Sequence, residues 1–255
     1  MPGRRPLRGA TFLTAVTAAT IVTSGCGNGS PGYGKSGSPT SASPPTASGG
    51  SSAPSGSSPA KPSPAAFQSE IKKITDPAST LKYSWKKGCP VPVSGLRMIQ
   101  MTYWGMDDKP HPDGRLVVNA KAAEKLVKVF RKLYDMHYPI KRMEPVDAYK
   151  GSDWQSIEAD NTSAFNCRPA TGSSTWSQHA FGLAVDLNPC ENPYVTASGE
   201  VDHKDCVKFK NRKSRAPGVI HAGDKVVRAF ASIGWGWGGE WNGTKDYQHF
   251  SSNGR

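Results

Sequence analysis

The sequence predicts an α+β fold for residues 67–255, a single domain with a central antiparallel sheet and flanking helices. Two short runs with the alternation of strands lie close together near residue 100, and two amphipathic helix patterns follow them along the chain. No internal repeat or heptad pattern interrupts this mixture. We therefore expect the helices to pack against one side of the sheet and a groove to lie on the other.

The first half of this region has the clearest elements. Residues 96–104 alternate as a strand does, and residues 115–118 can pair with them after a turn at 112–114, where the sequence is Pro-Asp-Gly. Asn119 is a good helix cap, and a helix of about four turns is predicted before Pro139. The apolar face of that helix consists of Ala123, Leu126, Val127, Phe130, Leu133 and Tyr134.

Shorter elements follow. Residues 140–149 resemble a strand, and Ser152 can cap a short helix that runs through Ala159. Residues 164–168 are predicted to be extended, and residues 184–187 form another strand. Asp224 opens a second helix that ends near Ser232, with Val226, Val227, Phe230 and Ala231 facing inward.

Residues 1–66 are not typical of a folded domain. Three arginines precede an apolar stretch at 10–22 that is too short to span a bilayer comfortably, and Cys26 follows small residues. This layout predicts a secretory signal peptide over residues 1–26 of the lipoprotein type, with ordinary cleavage and free secretion as the alternative to lipid on Cys26. Residues 27–66 are almost entirely Ser, Pro, Gly, Ala and Thr, which predicts a disordered linker.

The composition of the predicted domain limits its partners. The chain has a net charge of +12, and five of its Lys and Arg residues but no acids precede residue 67, so the domain keeps +7. A basic surface favours polyanions such as an anionic cell wall. The export signal and the absence of nucleic-acid-binding motifs argue against nucleic acid. We expect a monomer outside the cytoplasm, either lipid-anchored to the cell membrane or secreted into the wall.

Four cysteines lie in the domain, and in an exported protein an even number predicts disulfides. Four cysteines allow three pairings. We favour Cys190 with Cys206, and Cys89 with Cys167. A cysteine-based metal site is the rival interpretation, but the sequence has no Cys-x-x-Cys spacing.

A candidate metal site lies in a run of small and apolar residues. His179 and Asp186 are seven residues apart, and zinc accepts both ligand types. An ionised Asp186 among apolar neighbours requires a cation or a strong donor. Gly182 can take a bend that allows His179 to lie on a loop, while Asp186 lies on the strand that follows.

A third ligand and a base are present near the C-terminal end. His249 completes a set of two histidines and one carboxylate, with a fourth position open to water. Asp246, three residues earlier, is the first candidate for general base on the water. Glu240, beside the tryptophan-rich stretch 235–241, is the alternative base or a residue that orients a ligand imidazole.

These residues give the chain a resemblance to the LAS-type zinc peptidases, which include lysostaphin-type enzymes, D-Ala-D-Ala peptidases and hedgehog-like domains. The resemblance covers roughly residues 85–255 and is greatest to the VanY-type D-alanyl-D-alanine carboxypeptidases and the related L-alanyl-D-glutamate endolysins. It is carried by the pattern Ser-x-His-x-x-Gly-x-Ala-x-Asp, followed far downstream by an acid three residues before a histidine. The fixed positions are Ser177, His179, Gly182, Ala184 and Asp186.

The resemblance implies roles for the site residues. His179, Asp186 and His249 correspond to zinc ligands, and Asp246 is an aspartate as in the endolysin branch. An arginine ahead of the first ligand, here Arg168, would bind substrate and stabilise the transition state. For the remaining motif position, Ser177, binding of the substrate carboxylate and ordering of the loop are both open.

The function expected from this resemblance is zinc-dependent hydrolysis of peptidoglycan stem peptides by an exported D-alanyl-D-alanine carboxypeptidase. Two alternatives remain open. One is an endopeptidase that cuts between L-Ala and D-Glu, and the other is a non-catalytic, zinc-stabilised module that binds the cell wall. An acid at position 246 favours an enzyme, because a purely structural zinc site has no use for a base.

Overall fold

The computed structural model describes residues 66–255. The predicted signal peptide, the lipidation site at Cys26 and the linker up to residue 65 lie outside the described residues. None of the described helices is long and apolar enough to cross a membrane.

Strands and helices alternate irregularly along residues 66–255, as expected for an α+β fold. The helices are α1 Pro77–Thr80, α2 Ala120–Asp135, α3 Asp153–Glu158 and α4 Lys225–Ala231. Short 3-10 helices span Val93–Gly95, Val146–Tyr149, Gln178–Phe181, Lys204–Lys210 and Gly238–Glu240. The strands are β1 Ser69–Lys73, β2 Leu96–Gly105, β3 Pro110–Asn119, β4 Pro139–Ile140, β5 Arg142–Met143, β6 Asn161–Thr162, β7 Ala184–Asp186, β8 Tyr194–Val195, β9 Gly236–Trp237, β10 Lys245–Asp246 and β11 His249–Ser251.

The largest sheet is built on β2, which pairs antiparallel with β1 and β3 and parallel with β4. Helix α2 begins at the predicted cap, because the Asn119 side chain accepts a hydrogen bond from the Lys121 backbone. Its apolar face packs with this sheet and α4 in one continuous core, and Leu126 and Phe130 are almost fully buried. The predicted α+β class, with antiparallel sheets and few helices, is therefore confirmed.

A smaller antiparallel sheet, in the order β7-β11-β9, carries the candidate metal ligands. Its central strand β11 is fixed to the core through Phe250, whose ring stacks on Phe230 with the centroids 3.9 Å apart. Side chains alternate along a strand, so His249 points away from the core because its neighbour Phe250 points into it. The site thus lies on a separate sheet rather than on the central one.

The predicted turn at 112–114 is wrong. The chain reverses at residues 106–109, and residues 112–114 lie within β3. Strand β3 is an edge of its sheet, and Pro112 lies at the irregularity between the pairs of His111 with Tyr103 and Gly114 with Met101; edge strands and bulges are where proline is tolerated. Gly114 faces Met101 at an irregularity in the β2 register, and a Cβ there would lie 2.8 Å from the Met101 carbonyl oxygen. Gly114 therefore lies where two strands approach each other closely, and it does not form a turn.

The predicted strand at 140–149 is correct only at its start. Strands β4 and β5 end at Met143, and a 3-10 helix then spans Val146–Tyr149. Pro145 lacks the N–H that a ladder needs. The Asp147 carboxylate accepts hydrogen bonds from the backbone N–H groups of Tyr83 and Ser84, at 2.7 and 3.2 Å, which holds the helical turn in place.

Both predicted disulfides are confirmed, with Cys89 bonded to Cys167 and Cys190 bonded to Cys206. The first bond joins the segment before β2 to the segment before His179, across 78 residues. The second closes an excursion of 16 residues. Disulfides of this kind are typical of proteins that fold in an oxidising compartment.

Beside the second disulfide, the Glu191 carboxyl faces Asp160, whose carboxylate accepts a hydrogen bond from the Cys190 backbone at 2.9 Å. Burial, with the hydrogen bond and charge of Asp160, raises the pKa of Glu191 from 4.5 to about 8. The folded state therefore binds a proton that the unfolded state releases, so the free energy of unfolding falls as the pH rises from about 4.5 to 8.

Glu191→Gln is expected to remove much of this pH dependence, because the amide is neutral throughout. The melting temperature at pH 8 should rise by about 3 °C, a shift of order 1 kcal/mol in a domain of this size, and the variants should converge below pH 4.5. Calorimetry across this range measures the effect, with the exposed Glu200→Gln as the matched control. Equal pH profiles for wild type and Glu191→Gln would contradict the assignment.

Candidate metal centre

Two of the predicted ligands are cross-strand neighbours. Strand β7 pairs antiparallel with β11, and the register places His249 directly opposite Asp186. Residues opposite each other in an antiparallel pair share one face of the sheet, with Cβ atoms about 4.5–5.5 Å apart. Backbone pairing alone thus brings together two side chains that are 63 residues apart in sequence.

The third ligand, His179, lies on the 3-10 helix that precedes β7. The Ser177 side chain caps this helix by accepting a hydrogen bond from the His179 backbone at 3.3 Å, and Gly182 ends it with φ at +64°. A Cβ at Gly182 would lie 2.6 Å from the Asn119 backbone nitrogen. Glycine is therefore required both for the left-handed conformation and for the close packing against the start of α2.

Gly182→Ala is expected to destabilise the fold and displace His179. A left-handed alanine costs about 1–2 kcal/mol, and overpacking against a backbone atom costs about as much again. Chemical denaturation measures the free energy of unfolding. Gly234→Ala is the matched control, because Gly234 has φ at +82° but open space around its Cβ. Equal losses in both variants would show that the close packing at Gly182 contributes nothing.

The three side chains meet at distances that suit one metal ion. His179 Nε2 lies 3.1 Å from Asp186 Oδ2 and 3.2 Å from His249 Nδ1. His249 Nδ1 lies 3.1 Å from Asp186 Oδ1. Tetrahedral zinc with ligand bonds of about 2.0–2.1 Å separates its ligand atoms by about 3.3 Å. All three side chains are buried, so the triangle is not a chance arrangement of solvated groups.

The hydrogen bonds around the cluster indicate which ring nitrogens are free. His179 Nδ1 lies 2.5 Å from the Ala164 carbonyl oxygen, and His249 Nε2 lies 3.2 Å from the Arg255 backbone oxygen. Each imidazole thus donates its N–H outward and, when neutral, directs the lone pair of its other nitrogen at the carboxylate of Asp186. Three acceptors that face one another require a cation between them. The donor set therefore fits a divalent metal ion.

The charges within the cluster agree with this arrangement. Burial alone would raise the pKa of the Asp186 carboxyl, but the charges and hydrogen bonds of His179 and His249 outweigh it and hold that pKa well below its usual range. Burial likewise opposes protonation of His249, yet Asp186 and Asp246 raise its pKa overall. Protons compete with the metal ion for the ligand atoms of the cluster, so the affinity for metal should weaken in acid.

Asp246 lies beside the cluster, at the end of the short strand β10 that pairs with β8. Burial, assisted by repulsion from Asp186, raises the pKa of Asp246 to about 7. Its Oδ1 atom is shielded from solvent and has no hydrogen-bond partner among residues 66–255. A carboxylate with a pKa near neutrality and a free oxygen has the properties of a general base.

All the predicted site residues except Glu240 line one groove, which has a cavity of about 610 Å³. Arg168, Ser177 and Asp246 line it together with the three ligands, whereas Glu240 is exposed and is not among the lining residues. Trp235 and Trp237 are buried in the core, and Trp241 lines the groove beside His249, with the ring centroids 5.5 Å apart.

Arg168 is held on one wall of the groove. Its Nη2 atom forms an ion pair with the Asp153 carboxylate on α3 at 2.8 Å, while its buried Nε has no partner in the described part of the chain. Asp153 could not be predicted from the sequence, because it lies 15 residues from Arg168 and only tertiary folding brings the pair together. Arg168 therefore faces the groove with a guanidinium that is fixed but not fully hydrogen-bonded.

The other four histidines make separate contacts. His111 pairs with Asp107, His137 stacks on Trp104, His203 pairs with Glu158, and the His221 ring bonds the Ser214 carbonyl. Within residues 66–255, His179, Asp186 and His249 are the only group whose ligand atoms could hold one metal ion.

Comparison with known families agrees with this geometry. Residues 171–252 match the family described as D-alanyl-D-alanine carboxypeptidase. Neither the curated proteins nor the solved structures gave a match. The matched segment contains the three clustered side chains and Asp246, and Arg168 lies just before it. Over this segment the chain is similar to the D-alanyl-D-alanine carboxypeptidase family, and the predicted resemblance to the VanY-type LAS peptidases is confirmed.

Proposed function

We propose that the protein is an exported, zinc-dependent peptidase that hydrolyses peptidoglycan stem peptides, acting as a D-alanyl-D-alanine carboxypeptidase. The observation that carries the proposal is the convergence of three buried acceptors, on His179, Asp186 and His249, beside a carboxylate whose pKa is raised to about 7. The two disulfides support export to an oxidising compartment. The family match supports the substrate class.

Each residue of the groove has a separate role in peptide hydrolysis. Zinc bound by the cluster would supply Lewis acidity, lowering the pKa of a coordinated water from about 15.7 towards about 7. Asp246 accepts the proton of the attacking water and passes it to the leaving amine. Arg168 binds the substrate and stabilises the negative charge that develops on the carbonyl oxygen. Ser177 holds the helix that carries His179 and can also donate to a substrate carboxylate.

The experiment that tests this proposal is incubation of the purified protein with defined stem pentapeptides and identification of the fragments by mass spectrometry. Release of free D-alanine, abolished by a chelator and restored by zinc, is the expected result. An internal cut between L-Ala and D-Glu would instead identify an endopeptidase. The endolysin branch likewise has an aspartate at the position of Asp246. Binding to cell walls without hydrolysis would identify a non-catalytic module.

A further inference from the structure

The outer edge of the His249 imidazole is held by residues 252–255, which belong to no strand or helix. Its Nε2–H donates to the Arg255 backbone oxygen at 3.2 Å, which leaves Nδ1 for the metal ion. In metal sites, the group that accepts from the outer N–H of a ligand imidazole fixes both the tautomer and the orientation of the ring. The position of the Arg255 carbonyl therefore determines how well His249 can serve as a ligand.

One set of contacts to residues 252–255 comes from the small sheet that carries the metal ligands. The Ser251 hydroxyl, at the end of β11, donates to the Arg255 backbone oxygen at 2.8 Å, and Ser251 is fully buried. The Ser252 backbone N–H donates to the Leu183 carbonyl, just before β7, at 3.0 Å. The Arg255 carbonyl thus accepts one hydrogen bond from Ser251 and one from His249.

A second contact comes from Trp241, which follows the 3-10 helix at Gly238–Glu240. Its indole N–H donates to the Gly254 carbonyl at 2.6 Å, across 13 residues of sequence. The same peptide group, between residues 254 and 255, also donates its N–H to the Asn253 side chain at 2.9 Å. Because a peptide group is planar, two hydrogen bonds at its opposite ends fix the plane from which the Arg255 carbonyl continues.

The backbone at Gly254 has little space to adopt another position. Gly254 has φ at +75°, a conformation that favours glycine. It also lies against β9, where a Cβ on Gly236 would be 2.7 Å from the Gly254 Cα atom. The hydrogen bond from Trp241 therefore acts on a segment that already packs closely on its other side.

The indole of Trp241 could instead serve the substrate, because Trp241 lines the groove and is half-buried. An indole has one N–H donor, however, and in Trp241 that donor is already used by the Gly254 carbonyl. The ring lies beside His249, with the centroids 5.5 Å apart and the planes tilted by 55°. The polar atom of Trp241 is thus bonded within the protein, next to a metal ligand.

We propose that Trp241 is a positioning residue of the metal centre. By holding the Gly254 carbonyl it places the Arg255 carbonyl, which in turn orients the His249 imidazole with Nδ1 towards His179 and Asp186. This inference rests on the metal site of the proposed function and is independent of the substrate. Its consequence is that the affinity for zinc depends on a hydrogen bond made by a residue that is not itself a ligand.

Trp241→Phe tests the inference, because phenylalanine keeps an aromatic ring beside His249 and removes only the indole N–H. Its zinc affinity should fall about tenfold, the lower end of the range for groups that support a ligand, since Trp241 acts through an intervening peptide. Competition with a chromogenic chelator, in the absence of peptide, measures the affinity. Circular dichroism of the metal-free protein should show an intact fold.

Ser251→Ala is a second variant, since it removes the other donor to the Arg255 carbonyl. Its zinc affinity should fall by a similar factor. The double variant should lose less than the product of the two single losses, because both changes act through the same carbonyl. Independent losses that multiply in full would contradict this shared route.

Trp85→Phe is the matched control. Trp85 is also half-buried and its indole also donates to a backbone carbonyl, that of Val91, at 3.0 Å, but it is not among the residues that line the groove. It should keep the wild-type zinc affinity. An equal loss in Trp85→Phe would overturn the inference, because the effect would then be general destabilisation. So would a Trp241→Phe variant with wild-type zinc affinity and a raised KM, because Trp241 would then serve the substrate alone.

The peptidase proposal and the positioning role can fail separately. If wild type binds zinc but cleaves no stem peptide, the peptidase function is refuted, and the zinc affinities of the variants still decide the role of Trp241. If wild type binds no zinc, the metal centre is refuted and the positioning role with it.

Discussion

Asp246→Asn is expected to lower kcat by about 10²–10⁴, the range attributed to general acid–base catalysis, while the protein still binds one metal ion. The asparagine side chain has the same shape but cannot accept the proton of the attacking water. The KM should change little, because Asp246 acts on the water rather than on the ground-state peptide. Steady-state kinetics on a stem pentapeptide and metal analysis of the same preparation measure both parts.

Glu240→Gln is the informative comparison for that variant, since Glu240 is exposed and is not among the residues that line the groove. It should retain wild-type activity. A severe loss of activity in Glu240→Gln, with full activity in Asp246→Asn, would show that Glu240 rather than Asp246 is the general base. Loss of metal from Asp246→Asn would instead make Asp246 part of the binding site rather than the base.

His179→Ala is expected to abolish both metal binding and hydrolysis without unfolding the protein. Changing a group that only supports a ligand costs about 10–100-fold in metal affinity, so loss of a ligand should exceed a hundredfold. Zinc titration by calorimetry, kinetics and circular dichroism measure the three parts. His111→Ala, a change at a half-buried histidine outside the cluster, should behave as wild type. Hydrolysis retained by His179→Ala would refute the ligand assignment.

The sequence predicted those parts of the fold that depend on local signals. The Asn119 cap, the apolar face of α2 and the start of α4 at Asp224 all rest on residues close together in the chain. The local structure of the ligand motif was likewise predictable, because Gly182 and the apolar residues before Asp186 predict a bend and a buried strand. In each case the interactions that decide the structure span only a few residues.

The parts that failed depend on distant contacts. The Pro-Asp-Gly at 112–114 has turn chemistry, yet pairing with β2 keeps it in a strand and Gly114 serves a close approach to Met101. The pairing of Arg168 with Asp153, and the wall formed by Trp154 and His203, join segments that no sequence motif connects. Such contacts exist only after the chain has folded, so the sequence contains no local signal for them.

The most direct test of the metal site is anomalous scattering at the zinc absorption edge from crystals of the protein grown with zinc. One peak is expected, about 2.0–2.2 Å from His179 Nε2, His249 Nδ1 and a carboxylate oxygen of Asp186, with a fourth position open to water. A peak bound by other side chains, or zinc-supplemented crystals with no peak among these three, would contradict it.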